Sequence, residues 1–314
     1  MSQLPADQQT SSFSAKNIFF VIIISAFYLA LSSFLIGFKT EQGFLVLLFA
    51  CMYFLSRATR KFILAFSIFI IYWIVFDYMK AFPNYLYNKV HIGDLYFSEK
   101  KIFGILYDGT LITPNEYWLR NGSTFLDVMA GVFYLTWVPV PLMFAGYLFF
   151  KKRKQFFYFS LTFFLVNIIG FIIYYSFPAA PPWYVQQHGF AFEAATHGST
   201  AGLSKFDHFF HVDIFKSIYA KSSNVFAAMP SLHSSYPVIV LYFGLKNKLG
   251  LINILFAIIM LGIWFSAVYA SHHYVLDVVA GIACAITGIS LFQLLANNSK
   301  LLKQFIDKMV KITS

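Results

Sequence analysis

Charge is what this sequence has least of. Asp, Glu, Lys and Arg make up 11% of its 314 residues, less than half the roughly 25% usual for a soluble domain. A chain so poor in polar surface cannot cover itself in water, which excludes a soluble enzyme. Acidic residues are the scarcest class, 13 against 23 Lys and Arg. In so apolar a chain the excess reads as cationic loops that fix helix orientation rather than as a nucleic-acid footprint, so no nucleic-acid partner is expected. Cysteine is nearly absent: Cys51 and Cys284 both fall inside apolar runs, and no disulfide framework can be built from them. What fills the chain instead is 59% hydrophobic residues, including 40 Phe and 20 Tyr. That composition excludes disorder and leaves an integral membrane protein.

A hydrocarbon core of about 30 Å takes roughly 20 apolar residues in a helix. Apolar runs occur at 18–37, 44–56, 62–79, 126–150, 156–176, 231–245, 251–270 and 274–296. Eight transmembrane helices are therefore expected, in an all-α membrane protein without internal repeats. The second and sixth runs are short and must extend or tilt. The first has no small-residue cleavage site and further spans follow it, so it reads as a retained helix rather than a signal peptide. Residues 1–16 are polar and expected to be a disordered tail. Residues 17–61 carry two leading helices, 62–296 a six-helix core, and 297–314 a basic tail. Two long segments, 80–125 and 177–230, are not membrane-like, and loops of that length are usually functional.

Charge tests the span count. With eight spans, both termini share one side with the loops after the second, fourth and sixth helices. That side holds Lys16, Arg57, Arg60, Lys61, the KKRK run at 151–154, Lys246, Lys248 and four lysines of the tail, against only Asp7 and Asp307. This is the positive-inside pattern. It predicts cytoplasmic termini and places 80–125 and 177–230 on the exoplasmic side.

Three segments put polar groups at helix ends, all on that exoplasmic side: YSFPAAPPWY at 175–184, AMPSLHSSYP at 228–237, and SAVYASHHYVLD at 266–277. His273 and Asp277 are four apart and share a helix face. A carboxylate there can hold the imidazole Nδ1–H and leave Nε2 as nucleophile or base. The alternative is an interfacial pair that only caps the helix. His272 lies five from Asp277 and leaves that face. Pro230 and Ser231 read as a helix start, with Ser231 as cap, which puts His233 in the first turn beside free N–H groups. A second imidazole near a His–Asp pair is what phosphoryl transfer requires, one ring attacking and the other protonating the leaving oxygen. The alternative is a histidine solvated at a helix mouth. The paired prolines of the first segment predict an extended turn, with Trp183 and Tyr184 either in the interfacial aromatic belt or touching substrate. Pro181, Trp183, Tyr184, Ser231, His272 and Tyr274 are the candidates for substrate contact. His208, His211 and Asp213 have no specific metal spacing, so no metal and no cofactor are expected. Asp77, Asp127 and Asn167 read as structural.

In this order the segments resemble the membrane branch of the type-2 phosphatidic acid phosphatase superfamily. FPAAPPWY, MPSLH and HHYVLD look most like the fungal inositol phosphorylceramide synthases and are also similar to sphingomyelin synthases. The likeness spans about residues 60–296. It implies a six-helix core and a metal-free His–His–Asp site, with His273 as nucleophile, Asp277 orienting it and His233 as acid. The chain departs from the phosphatase pattern where that pattern carries cations: Ser266-Ala267 stands for Ser-Arg, and residues 170–184 contain no Lys or Arg. A monoester carries nearly two charges and suits bidentate Arg, whereas a diester carries one and needs fewer cations. The expectation is therefore a membrane phosphotransferase that moves a headgroup from a phospholipid, with phosphatidylinositol the family-led donor. The acceptor would be a lipid hydroxyl such as ceramide, and diacylglycerol would be released through a phosphohistidine. A lipid phosphate phosphatase is the first alternative and a non-enzymatic transporter the second. A bacterial inner membrane with a periplasmic site is the expected location.

Overall fold

The computed structural model of the chain describes residues 13–220 and 224–314. It divides into two compact units, one of residues up to Ala81 with Phe305–Ser314 and one of Phe82–Gln304. Of the 1–16 tail expected to be disordered, residues 1–12 lie outside the described residues. Ser14 instead caps a helix that already includes Ala15 and Lys16.

The first unit contains α1 (Ala15–Ile36), α2 (Thr40–Leu55) and α3 (Arg57–Tyr78). Phe19, Phe27 and Phe34 on α1 are exposed, and a helix apolar on every side that leaves its rings uncovered is suited to lipid. Ser56 accepts the Thr59 N–H at the head of α3, which forces the chain to restart as a separate helix one residue after α2. Arg60 turns back to donate to the Tyr53 carbonyl at 2.9 Å.

The second unit begins with α4 (Gly93–Phe103), a two-stranded hairpin of β1 (Ile105–Tyr107) and β2 (Thr110–Ile112), and α5 (Pro114–Arg120). The hairpin turns on Asp108-Gly109, both at positive φ, the geometry for which Asp-Gly is the strongest short signal. The apolar run 126–150, expected as one helix, is broken into α6 (Thr124–Leu135) and α7 (Pro139–Lys151). Pro139 and Pro141 have no N–H to give to the carbonyls four residues back, so the ladder cannot pass through residues 136–138. Then come α8 (Arg153–Ser176), α9 (Pro182–His188), α10 (Ser204–Phe210) and α11 (Ile214–Tyr219). The paired prolines, expected to stay extended, open α9: Pro182 takes the first helical position, where no N–H is needed.

Helices α12 (Leu232–Lys246), α13 (Ile252–Tyr269) and α14 (Val275–Asn298) complete the bundle, with α12 packed against α7, α8, α13 and α14. The tail expected at 297–314 is largely helical, as α15 (Lys300–Thr313). Each of the eight expected spans corresponds to a helix or, for the fourth, to the broken pair. Among the described residues six helices are long and apolar enough to cross a membrane, α6 and α7 taken as one, and α2 is a shorter apolar helix. The chain is an all-α integral membrane protein but for the one hairpin among the described residues.

One close approach fixes how α12 and α14 meet. A Cβ on Gly281 would stand 2.2 Å from the Ser231 carbonyl, so only glycine lets α14 reach the start of α12 there. Ser235 Oγ donates to the Gly281 carbonyl at 2.7 Å, and the Ser231 N–H to the Asp277 carbonyl at 2.9 Å.

Candidate active site

The three motif segments converge through backbone hydrogen bonds. Ala179 lies extended between His91 and Ala227, its N–H on the Phe226 carbonyl at 2.9 Å, which joins the first segment to the approach of the second. The Trp183 N–H donates to the Ser271 carbonyl at 3.0 Å, which joins the first to the third. Ser271 sits at φ 59 in the left-handed region, which costs a non-glycine residue on the order of 1 kcal/mol. The Gln186 amide on Ser271 Oγ, at 3.0 Å, helps to hold it there. This turn between α13 and α14 aims His273.

The His273 Nε2 is 3.1 Å from the His233 Nδ1, and the His273 Nδ1 is 3.6 Å from Asp277 Oδ2. His233 lies in the first turn of α12 and Asp277 in the first turn of α14, whereas His273 sits in the turn before α14 rather than on a helix face shared with Asp277. His273 and Asp277 are buried, and His233 keeps partial exposure. The carboxylate also accepts the Tyr274 N–H at 2.7 Å, so it is held in place by its own helix start. His273 has one ring nitrogen toward a carboxylate and the other toward a second imidazole. That is the arrangement of a nucleophile with its orienting anion and a proton donor.

Sequence reasoning misses four groups around this centre. Tyr134 on α6 puts its hydroxyl 3.0 Å from the His233 Nδ1. Trp137, in the proline break, meets the His233 ring edge-on at 4.4 Å between centroids. Asn115, fully buried on α5, gives its two amide protons to the Val268 and His273 carbonyls at 2.8 and 2.9 Å. Glu99, fully buried on α4, accepts the Val275 and Leu276 N–H groups at 2.9 and 3.0 Å and so caps the helix that carries Asp277. Each lies far from its partner in sequence. Only the break leaves a readable trace, in its two prolines.

Burial pushes the Glu99 carboxyl from an ordinary 4.5 up to about 7, against the pull of its two N–H bonds and with nearby Asp277 adding to the rise. The folded state therefore holds this proton more tightly than the unfolded chain, and the stability it gives is present below pH 4.5 and gone above about 7. Measured against Glu99→Gln, the thermal midpoint of the native protein is expected to fall across that window and then level off. A difference that grows in favour of the native protein as pH rises would contradict this.

The candidate contact residues divide. Ser231 is buried and caps α12 through the Ser234 N–H. Trp183 and Tyr184 are buried with Val90, Ile92 and Phe226, and Tyr184 Oη both accepts the Glu193 N–H and donates to the Ala191 carbonyl. Pro181 precedes α9 as its cap. Tyr274 is buried beside Leu95 and Ala179. His272 turns away from the pair, stacks on Tyr219 at 4.5 Å and gives its Nε2–H to the Thr200 carbonyl at 2.9 Å. Burial, with His273 adding to it, pushes it down to about 3, so it stays neutral. Beyond Tyr219 and Thr200 lies a cleft of about 590 Å³ between α9, α11 and the loop at 193–200. His208 and His211 have ring centroids 6.3 Å apart, and Asp213 pairs with Lys216. Asp127 accepts from Tyr269 and pairs with Lys205, Asn167 accepts from Tyr236, and Asp77 pairs with Lys80. Among the described residues, the hydrogen-bond and ring partners of His233, His272 and His273 include no Lys or Arg.

In this helical membrane protein two imidazoles and a carboxylate meet at the heads of α12 and α14, and its similarity to known synthases makes it an enzyme of the phosphotransferase type. The chain belongs to the PAP2 superfamily, whose pattern matches residues 107–291. It is 44% identical over 282 residues to the phosphoinositol dihydroceramide synthase of Bacteroides thetaiotaomicron, covering 89% of this chain and 92% of that one. It is 30% identical over 176 residues to the inositol phosphorylceramide synthase of Candida albicans, covering 54% of this chain and 34% of that one. With the inositol phosphorylceramide synthase catalytic subunit of Saccharomyces cerevisiae the identity is 33% over 117 residues, 37% of this chain and 29% of that one. The match thus spans about a third of these fungal relatives' length. No solved structure matches the chain.

Proposed function

We propose that this enzyme transfers the phosphoinositol headgroup of a phospholipid to the hydroxyl of a ceramide-type lipid and releases diacylglycerol. The observation that carries this reading is the contact of His273 Nε2 with His233 Nδ1, with Asp277 behind it. His273 Nε2 attacks phosphorus, the P–O bond to diacylglycerol breaks, and His233 gives a proton to the departing oxygen, which as a free alkoxide is a poor leaving group. Asp277 stabilises the positive ring that carries the phosphoryl group. In the second half His233 takes the proton of the acceptor hydroxyl, whose oxygen attacks phosphorus and frees His273. Two half-reactions through one covalent intermediate give ping-pong kinetics.

Two features support the substrate class. Among the described residues no Lys or Arg is a hydrogen-bond or ring partner of the three histidines, which suits a singly charged diester better than a monoester. The cleft beside Tyr219 is lined by Gln187, Glu193, His197, Ser199, Thr200 and Lys216, a set of donors and acceptors fit for a polyol. A quaternary ammonium group favours an aromatic cage, and among the described residues a single phenol ring, that of Tyr219, borders the cleft. The charge pattern supports cytoplasmic termini and an exoplasmic site, and the Bacteroides relative supports a bacterial inner membrane.

Mass spectrometry of lipids made by purified protein from mixed phospholipids and ceramide tests the reading. The expected product is a ceramide carrying phosphoinositol, at least about tenfold above transfer from choline or ethanolamine phospholipids, a margin two or three well-placed hydrogen bonds supply. Release of free phosphate from phosphatidic acid without any ceramide product would instead establish the phosphatase.

A further inference from the structure

His273 has a carboxylate to hold one nitrogen so that the other can react. We propose that Tyr134 does the corresponding work for His233: its oxygen accepts the His233 Nδ1–H, fixes that tautomer, and leaves Nε2 as the atom that gives and takes the proton. The inference deepens the proposed function, since it rests on His233 being the acid.

The geometry leads there in three steps. First, among the described residues the His233 Nδ1 has two hydrogen-bond neighbours, the His273 Nε2 at 3.1 Å and the Tyr134 hydroxyl at 3.0 Å. In the resting enzyme its proton is shared between them. Once His273 Nε2 bonds to phosphorus that partner is lost, and Tyr134 alone remains to hold the ring.

Second, in-line displacement puts the nucleophile and the leaving oxygen on opposite sides of phosphorus. The proton donor must then stand farther from His273 Nε2 than a hydrogen bond. Nδ1 is too close to the nucleophile, whereas Nε2 lies across the width of the ring, on a residue that keeps partial exposure.

Third, Tyr134 is itself held in place. It is 1% exposed and Tyr219 neighbours it; with its O–H turned to that neighbour, it presents a lone pair to His233. Its ring is fixed against His272 at 5.6 Å and lies near Phe215. The break after α6 brings Trp137 against the other side of His233.

The choice of a phenol fits the role. A carboxylate behind His233 would stabilise its imidazolium and weaken it as an acid. A neutral acceptor orients the ring and leaves the proton free to go. Balance is kept throughout. In the first half the His233 Nε2 proton goes to the diacylglycerol oxygen as P–N forms and P–O breaks. In the second, the acceptor's proton returns to Nε2 as P–O forms and P–N breaks. Tyr134 gains and loses nothing, which makes it a positioning residue.

The test compares two donors of the same headgroup on the purified full-length protein: the phospholipid, and an ester in which p-nitrophenolate replaces diacylglycerol and leaves without protonation. With no acceptor present, so that the first half-reaction alone is read, Tyr134→Phe is expected to lower the single-turnover rate of diacylglycerol release from the phospholipid by about 10- to 100-fold, yet that of nitrophenolate release by no more than about threefold. His233→Ala shows the same split, larger. An equal loss on both donors, or no loss, for Tyr134→Phe with the split intact in His233→Ala overturns the role of Tyr134 alone. Absence of the split in His233→Ala overturns the acid assignment, and this inference with it. Should Tyr134→Phe not fold, Tyr219→Phe keeps the Tyr134 ring in place and is expected to give the split at smaller size. Its absence there counts against the proposal.

Discussion

Replacing His273 with Ala is expected to reduce headgroup transfer to background, a loss of about 10⁶-fold if it resembles removal of the nucleophile in a serine hydrolase. No neighbour can take over. His272 points the other way, its Nε2–H spent on the Thr200 carbonyl. The His233 Nδ1 lies beside Tyr134, and among the described residues no carboxylate is its hydrogen-bond partner. The scaffold should survive the change. Asn115 binds the backbone carbonyl of residue 273, and the N–H of that residue reaches the Ala267 carbonyl, so neither bond needs the imidazole. Asp277 loses the ring facing it and becomes a less compensated buried charge, so the variant should melt earlier than the native protein. Product formation per folded molecule, with folding judged by elution and melting in detergent, checks both parts. Turnover within about a hundredfold of native would remove His273 from the mechanism.

Asp277→Asn is expected to cost about 10⁴-fold in kcat, as amide substitution of the orienting carboxylate does in serine-protease triads. The reason is local. One oxygen of residue 277, Oδ2, both accepts the Tyr274 N–H at 2.7 Å and faces the His273 Nδ1 at 3.6 Å. An Asn can keep an oxygen there but carries no negative charge, so the positive ring that forms when His273 bonds to phosphorus loses its counter-ion in a buried site. Helix packing should hardly change, because the Tyr274 bond and the Ser231 N–H bond to the residue 277 carbonyl both persist. Asp277→Glu, with the charge retained but displaced, should lose less. An Asn variant within tenfold of native would mean that the carboxylate only caps α14.

The centre itself was legible because its members are local. His273 and Asp277 are four residues apart and meet across the start of α14, His273 in the turn before it and Asp277 in its first turn, and Ser231 and Pro230 announce where α12 starts. The helices were legible from apolar runs alone, which do not depend on which partner each helix finds. What was hidden depends on long-range contact. Glu99 and Asn115 lie about 160 to 180 residues from the atoms they hold, and no periodicity marks a carboxylate that will cap a distant helix. Tyr134 is one Tyr of 20, inside a run whose composition says only that it is apolar. Pro139 and Pro141 did carry a signal, since a helix cannot pass two prolines with its ladder intact, but hydropathy averages over them. The first motif misleads in a different way. Its prolines predict an extended turn and its aromatics an interfacial or substrate-touching place, yet Pro182 opens α9, Trp183 and Tyr184 are buried, and the Trp183 N–H supports the strained Ser271. Its chemistry is that of a brace.

Covalent capture bears most directly on His273 as the group that carries the phosphoryl. Purified protein is mixed with a phospholipid donor labelled in its headgroup phosphate, without ceramide, then quenched in alkali, where phosphohistidine survives, and digested. The account predicts label and headgroup mass on the peptide containing His273, their disappearance on brief acid treatment, and their discharge when ceramide is added before the quench. A donor consumed at full rate on adding ceramide, with no such adduct and with an initial-rate pattern that requires both lipids bound together, would contradict it.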